Sequence, residues 1–155
     1  LQGDWSSDVC SSDLKSDDYI RSLKSFSENM KGPVLFTGFV PPSEMPDFFS
    51  LGDIFLCASQ WEEPLSRVHY EAMAAGLPII TTNRGGNAEV VSWEYGNGIE
   101  IDDYSNPDEF TYAINYLLDN PDMALKLGKK GRSLAVLRYN WERVANDLLQ
   151  LFQRA

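Results

Sequence analysis

Histidine occurs once in this sequence, at His69, and one histidine with scattered acids does not make a metal site. Cysteine occurs twice: Cys10 and Cys57 lie far apart with no CxxC pair, and Cys57, inside the apolar run Ile54 to Ala58, reads as a buried small residue. Long apolar runs are missing as well. Nothing approaches the roughly 18 to 20 consecutive apolar residues of a membrane helix, and the N-terminus is too polar for a secretory leader, so the chain reads as soluble and cytoplasmic. Basic residues are scarce: 13 against 23 acids give a formal charge of −10, which repels a phosphate backbone and removes nucleic acid from the expected partners.

What is present is enough for a core. The 155 residues, 43% of them hydrophobic, have the size of one ordinary domain, and one compact domain is the expectation. The first fourteen residues differ from the rest. Asp4 to Leu14 is Ser/Asp-rich without an apolar period and reads as a disordered tail. Its stretch Asp8 to Leu14 is similar to the conceptual translation of a sequencing adapter, which would put the native start near Lys15 and the cut upstream.

From Lys15 the elements alternate. Ile20, Leu23 and Phe26 predict a surface helix over Asp18 to Asn29, followed by a short β-rich run from Pro33 to Phe36. Ser43 is placed to cap a helix carrying Met45, Phe48 and Phe49, closed by Gly52, and Ile54 to Ala58 then predicts a strand buried on both faces. An Ala-rich helix over Arg67 to Ala75 stops at Gly76, ahead of a strand over Pro78 to Thr82. A short helix from Asn87 and a strand over Gly98 to Ile101 follow. Asn106-Pro107 and Asn120-Pro121 each read as an N-cap with proline at the first helical position. Trp141, Val144, Ala145, Leu148 and Phe152 mark a last amphipathic helix. Strands alternating with helices predict an α/β fold with a parallel sheet covered on both faces, whose ligand sites lie at the carboxyl ends of the strands.

Two loops follow central strands. In one, Gly85-Gly86 precedes a helix and serves either as a plain turn or as a close approach to an anion. In the other, Trp61-Glu62-Glu63-Pro64 puts two carboxylates at a strand end, where solvent or a ligand could use them. Glu71 is expected on the small apolar stripe of Val68, Ala72 and Ala75, where a carboxylate is costly unless bonded. It either meets a nearby backbone donor or accepts from ligand hydroxyls. Glu63 before the helix, the helix N-terminus, and Glu71 on its second turn would suit a sugar, a diphosphate and a ribose in a row.

The run from Glu63 to Pro78, EPLSRVHYEAMAAGLP, resembles the Glu-x7-Glu signature of retaining GT-B glycosyltransferases of family 4, glycosyl transferases group 1. Val34 to Val40, Gly52 to Leu56, Ile79 to Thr82 and Gly85 to Val91 continue the resemblance in order, so it covers nearly all of the chain from Lys15. The Pro-Leu-Ser-Arg-Val-His-Tyr stretch is similar to bacterial spore-coat-associated members. The resemblance implies a Rossmann-like parallel sheet with helices on both faces, the C-terminal nucleotide-sugar-binding domain of a GT-B fold over residues 15–155. It implies that Glu63, at the reaction centre, binds hydroxyls of a transferred hexose-type sugar and that Glu71 holds the ribose. Backbone amides around Leu65, Ser66, Arg67 and Val68 would cradle the diphosphate, and the backbone near Val40 would meet the base. Many members carry glycine where Ser66 stands, and a serine hydroxyl could compensate with a hydrogen bond.

The implied ligand is a nucleotide diphosphate sugar, with no cofactor and no metal. Family members add an Arg and a Lys at positions that would precede Lys15, and an N-terminal acceptor domain is absent, so weak donor binding and negligible turnover are expected. The full-length protein is given a peripheral membrane or spore-coat association. His69 and the cations Lys126, Lys129, Lys130 and Arg132 read as structural and as a solvated face, respectively. Two rivals remain: a non-catalytic binding or coat-structural protein that keeps the fold, and a glycosidase using Glu63 and Glu71 as acid and base.

Overall fold

The structure is a computed structural model that describes residues 14–62, 64 and 66–154. The N-terminal tail up to residue 13, with most of its adapter-like stretch, lies outside the described residues, as do Glu63 and Leu65. The chain divides at Val40 and Pro41 into two compact units.

The first unit contains helix α1 (Leu14–Ser27), which starts at the residue expected to end the tail, and an extended segment after it. Lys24 lies over the Phe36 ring, 5.8 Å from its centroid. The expected strand at Pro33–Phe36 does not form, and Leu35 is 84% exposed. A strand exists through its ladder of backbone bonds, and no described residue supplies that ladder here.

The second unit runs α2 (Met45–Ser50), β1 (Phe55–Cys57), α3 (Arg67–Ala75), β2 (Ile79–Thr82), α4 (Asn87–Val90), β3 (Gly98–Ile101), α5 (Pro107–Asp119), α6 (Pro121–Arg138) and α7 (Trp141–Arg154). The strands form a parallel sheet in the order β1-β2-β3, with Leu56 opposite Ile80 and Ile80 opposite Ile99. Because side chains alternate across a strand, the successive residues Ile79 and Ile80 enter different cores. Ile79 packs with Ala72 and Met73 of α3, Val91 and Ala135 of α6. Ile80 packs with Ile101, Ala113 and Leu117 of α5 and Leu127 of α6. This is the Rossmann-like α/β arrangement the sequence predicts. β2 is buried at every position. β1 differs from expectation: it lies at the edge of the sheet, and Leu56 is 42% exposed instead of buried on both faces.

Local signals explain most boundaries. Gly76 ends α3 in the left-handed region at φ 83°, its N–H reaching the Ala72 and Met73 carbonyls. Asn106 caps α5 by accepting from the Asp108 N–H at 3.0 Å. Asn120 does not repeat the device: its amide donates to the Tyr116 carbonyl at 2.8 Å, and α6 starts without a side-chain cap. Likewise Glu44, not Ser43, occupies the cap position of α2, and Leu51 ends that helix one residue before Gly52. Asn140 accepts from the Arg143 N–H at 2.8 Å and starts α7. No residue of α7 is buried, so its apolar side, with Trp141 and Phe152, faces outward. No helix among the described residues is long and apolar enough to cross a membrane.

Candidate functional site

The parallel sheet puts the ends of β1, β2 and β3 on one edge, and three side-chain bonds tie the loops there. The Thr82 hydroxyl donates to the Ser59 carbonyl at 2.6 Å, joining the loop after β1 to the end of β2. Asn83 donates to the Asp102 carboxylate at 2.7 Å, joining β2 to β3. Glu62 makes the third tie, with both carboxylate oxygens. One accepts from the Gly85 N–H at 2.8 Å, and the other lies 3.0 Å from the Arg84 guanidinium. Arg84 in turn lies over the Tyr104 ring, 4.5 Å from its centroid. Gly85, at φ 55°, takes the left-handed conformation that presents its N–H to Glu62. The anion that meets the Gly85 turn is therefore a carboxylate of the chain itself, an arrangement that sequence reading did not assign. The doubled acid at 62 and 63 and the arginine before the glycines were its only traces in the sequence.

α3 begins where the loop after β1 ends. Ser66 is its N-cap residue, in extended geometry at φ −81° and ψ 119°, but no side chain caps the helix and its first turn holds no acid. Among the described residues no side chain caps the positive end of the helix dipole, the kind of helix end that suits an anion. Ser66 and Val68 are half-buried and Arg67 is exposed. Val40 is half-buried at the end of the first unit.

Glu71 corrects an expectation. The buried stripe of α3 is His69, Ala72 and Met73, and Glu71 is exposed on the side that carries Arg67 and Ala74. Its carboxylate is not held against the sheet, and the inference from a costly buried acid falls. Nor does it pair with Arg67, four residues back: no ion pair or hydrogen bond joins Glu71 to another described residue.

His69 is 1% exposed, with Nε2 2.8 Å from the Thr81 hydroxyl and Nδ1 3.3 Å from the Ser66 carbonyl. Cys57 is half-buried rather than buried, its sulfur 3.5 Å from the Ser59 hydroxyl. Burial, the largest influence on this thiol, pushes its pKa up, but hydrogen bonds with His69 and Ser59 and charge on His69 together lower it to about 7. Burial raises the Tyr70 phenol, assisted by Tyr139 and Glu89, and the Tyr70 ring lies 4.9 Å from Tyr139. Lys126, Lys129 and Lys130 are exposed on α6, and Arg132 donates to the Ala74 carbonyl at the end of α3. No group of three or more His, Cys, Asp or Glu able to hold a metal ion occurs among the described residues.

The family model for glycosyl transferases group 1 matches residues 18–134. Spore coat protein SA of Bacillus subtilis is 44% identical over 142 residues, which are 92% of this chain and 37% of that protein. Among solved structures, a sucrose-phosphate synthase from Thermosynechococcus elongatus is 26% identical with a TM-score of 0.76, over 88% of this chain and 34% of that one. The Anabaena protein HepE, solved in complex with UDP-glucose, shares the fold at a TM-score of 0.80 and 21% identity, over 92% of this chain and 38% of its own. The chain spans about a third of the length of the curated relatives it matches.

Proposed function

The chain belongs to the glycosyl transferases group 1 family, and from that premise we propose that it forms the donor half of a retaining GT-B glycosyltransferase, binding a nucleotide diphosphate sugar of hexose type. The observation that carries this reading is the start of α3. It is a helix N-terminus that no described side chain caps, at the carboxyl edge of a parallel sheet, and on its second turn Glu71 is exposed and bonded to no other described residue. In this reading the diphosphate meets the amides of Leu65, Ser66, Arg67 and Val68, the ribose hydroxyls donate to Glu71, and Glu63 accepts from the sugar. A ligand-binding carboxylate has to be reachable, and the exposure of Glu71 meets that need where a sheet-packed one would not. HepE, a chain of the same fold, holds UDP-glucose and supports the choice of ligand class.

Retaining transfer builds positive charge on the sugar ring and negative charge on the leaving diphosphate. The α3 amides would stabilise the latter. No metal and no cofactor enters this scheme. The acceptor and the remaining charge partners are assigned to parts of a longer protein, so this chain is expected to bind donor weakly and to turn it over negligibly.

Calorimetry with UDP-, ADP- and GDP-sugars tests the reading, together with a donor-hydrolysis assay. Binding of one nucleotide class, weakened in Glu71→Ala, is the expected result. Absence of nucleotide binding at millimolar concentration would favour the rival suggested by the spore coat relative, a coat-structural protein that keeps the fold. Robust turnover by this chain alone would refute the division of labour between two domains.

A further inference from the structure

Three ion pairs occur among the described residues, and two of them, Arg21–Asp18 and Arg143–Asp147, lie within single helices. The third, Arg84–Glu62, bridges two loops at the carboxyl edge of the sheet, and the same carboxylate also accepts from the Gly85 N–H. We propose that Glu62 is a positioning residue for donor binding: it locks the loop after β1 against the Gly85 turn, and so holds together the two loops of the carboxyl edge where the donor would bind. The proposal rests on the reading of this edge as the donor site.

The geometry favours positioning over stability. The Glu62 side chain is 68% exposed, and an ion pair in that setting contributes little to folding. Its partner, however, is held from elsewhere. Arg84 is 26% exposed and lies over Tyr104, while the Gly85 N–H is fixed by the turn. A carboxylate bound by both oxygens to two fixed partners has a defined place, and Glu63 is the next residue in the chain. The Thr82–Ser59 bond anchors the same segment three residues earlier. The stretch from Ser59 to Glu62 is tied at both ends, so a ligand does not have to order it on binding. Sequence spacing hides this arrangement, because Glu62 and Gly85 are 23 residues apart and belong to different loops.

The test uses the whole 155-residue chain, with wild type, Glu62→Ala and Glu62→Gln titrated with UDP, ADP and GDP and followed by amide NMR and thermal melting. Glu62→Ala is expected to weaken nucleotide affinity about tenfold, since the ligand must then order the loop on binding, with little change in melting. Glu62→Gln keeps an acceptor for the Gly85 N–H and loses the charge facing Arg84. It should recover part of the affinity and leave the Gly85 amide resonance near its wild-type position, whereas Glu62→Ala should move it. Wild-type binding that Glu62→Ala leaves intact overturns this proposal alone. Tighter binding by Glu62→Ala also overturns it, by showing that the carboxylate occupies a place a ligand anion would take. A wild-type chain that binds none of the three nucleotides overturns the donor reading and this proposal with it.

Discussion

The His69 imidazole, on α3, and the Thr81 hydroxyl, on β2, meet at 2.8 Å with both side chains almost wholly buried. The Ser66 carbonyl can only accept, so Nδ1 donates to it, and Nε2 bonds the Thr81 hydroxyl. The ring is fully used by the protein and ties the helix to the sheet. His69→Leu should therefore destabilise the chain by about 2–4 kcal/mol, combining a packing defect with an orphaned Thr81 hydroxyl. Urea unfolding measures it, and a change under about 0.5 kcal/mol would show that the bond contributes nothing.

The Cys57 thiol, lowered to about 7, predicts a pH profile. Thiolate, the reactive form, should rise as pH passes through about 7 rather than near the ordinary value of 9. Iodoacetamide labelling between pH 5 and 9, read by peptide mass spectrometry, should show that midpoint at Cys57. The folded value lies below the unfolded one, so the associated stability is present at high pH and is lost as pH falls through about 7. His69→Leu should move the labelling midpoint upward.

Gly128 of α6 packs directly on the turn that ends α3. A Cβ there would overlap the Gly76 carbonyl oxygen, a backbone atom that cannot rotate away. Alanine's better helix propensity favours Gly128→Ala by about 1 kcal/mol. The overlap should outweigh that gain and leave a net loss of about 1–2 kcal/mol by urea unfolding. A stabilised variant would mean that α6 shifts freely against α3.

Elements with local punctuation were legible in the sequence. α3 stops at Gly76, β3 spans Gly98 to Ile101, and α5 begins after a capping Asn106, all as read from residue types alone. Features that depend on neighbours in space were not. The run Pro33 to Phe36 has strand composition but no ladder, and Leu56 has an apolar side chain on an edge strand with nothing to cover it. The face of α3 was misread because Ala72, Ala74 and Ala75 blur the apolar period over only nine residues, while the polar His69 belongs to the buried side. Glu62 and Arg84 are unremarkable until folding brings their loops together.

Glu71 separates the functional reading from the structural one with a single substitution. The residue is exposed and makes no bond to a described residue, so Glu71→Ala should change unfolding free energy by no more than about 0.5 kcal/mol. If it accepts from ribose hydroxyls, each charge-assisted bond lost costs about 1.5–3 kcal/mol of binding, which is about ten- to more than a hundredfold in nucleotide affinity. Glu71→Gln keeps an acceptor oxygen without the charge and should fall between the two. The combination of unchanged stability and lost affinity is what a ligand-facing carboxylate produces, because its partner is absent from the folded chain and present only in the complex. Unchanged affinity in Glu71→Ala would leave the residue as ordinary solvated surface and remove the ribose contact from the site.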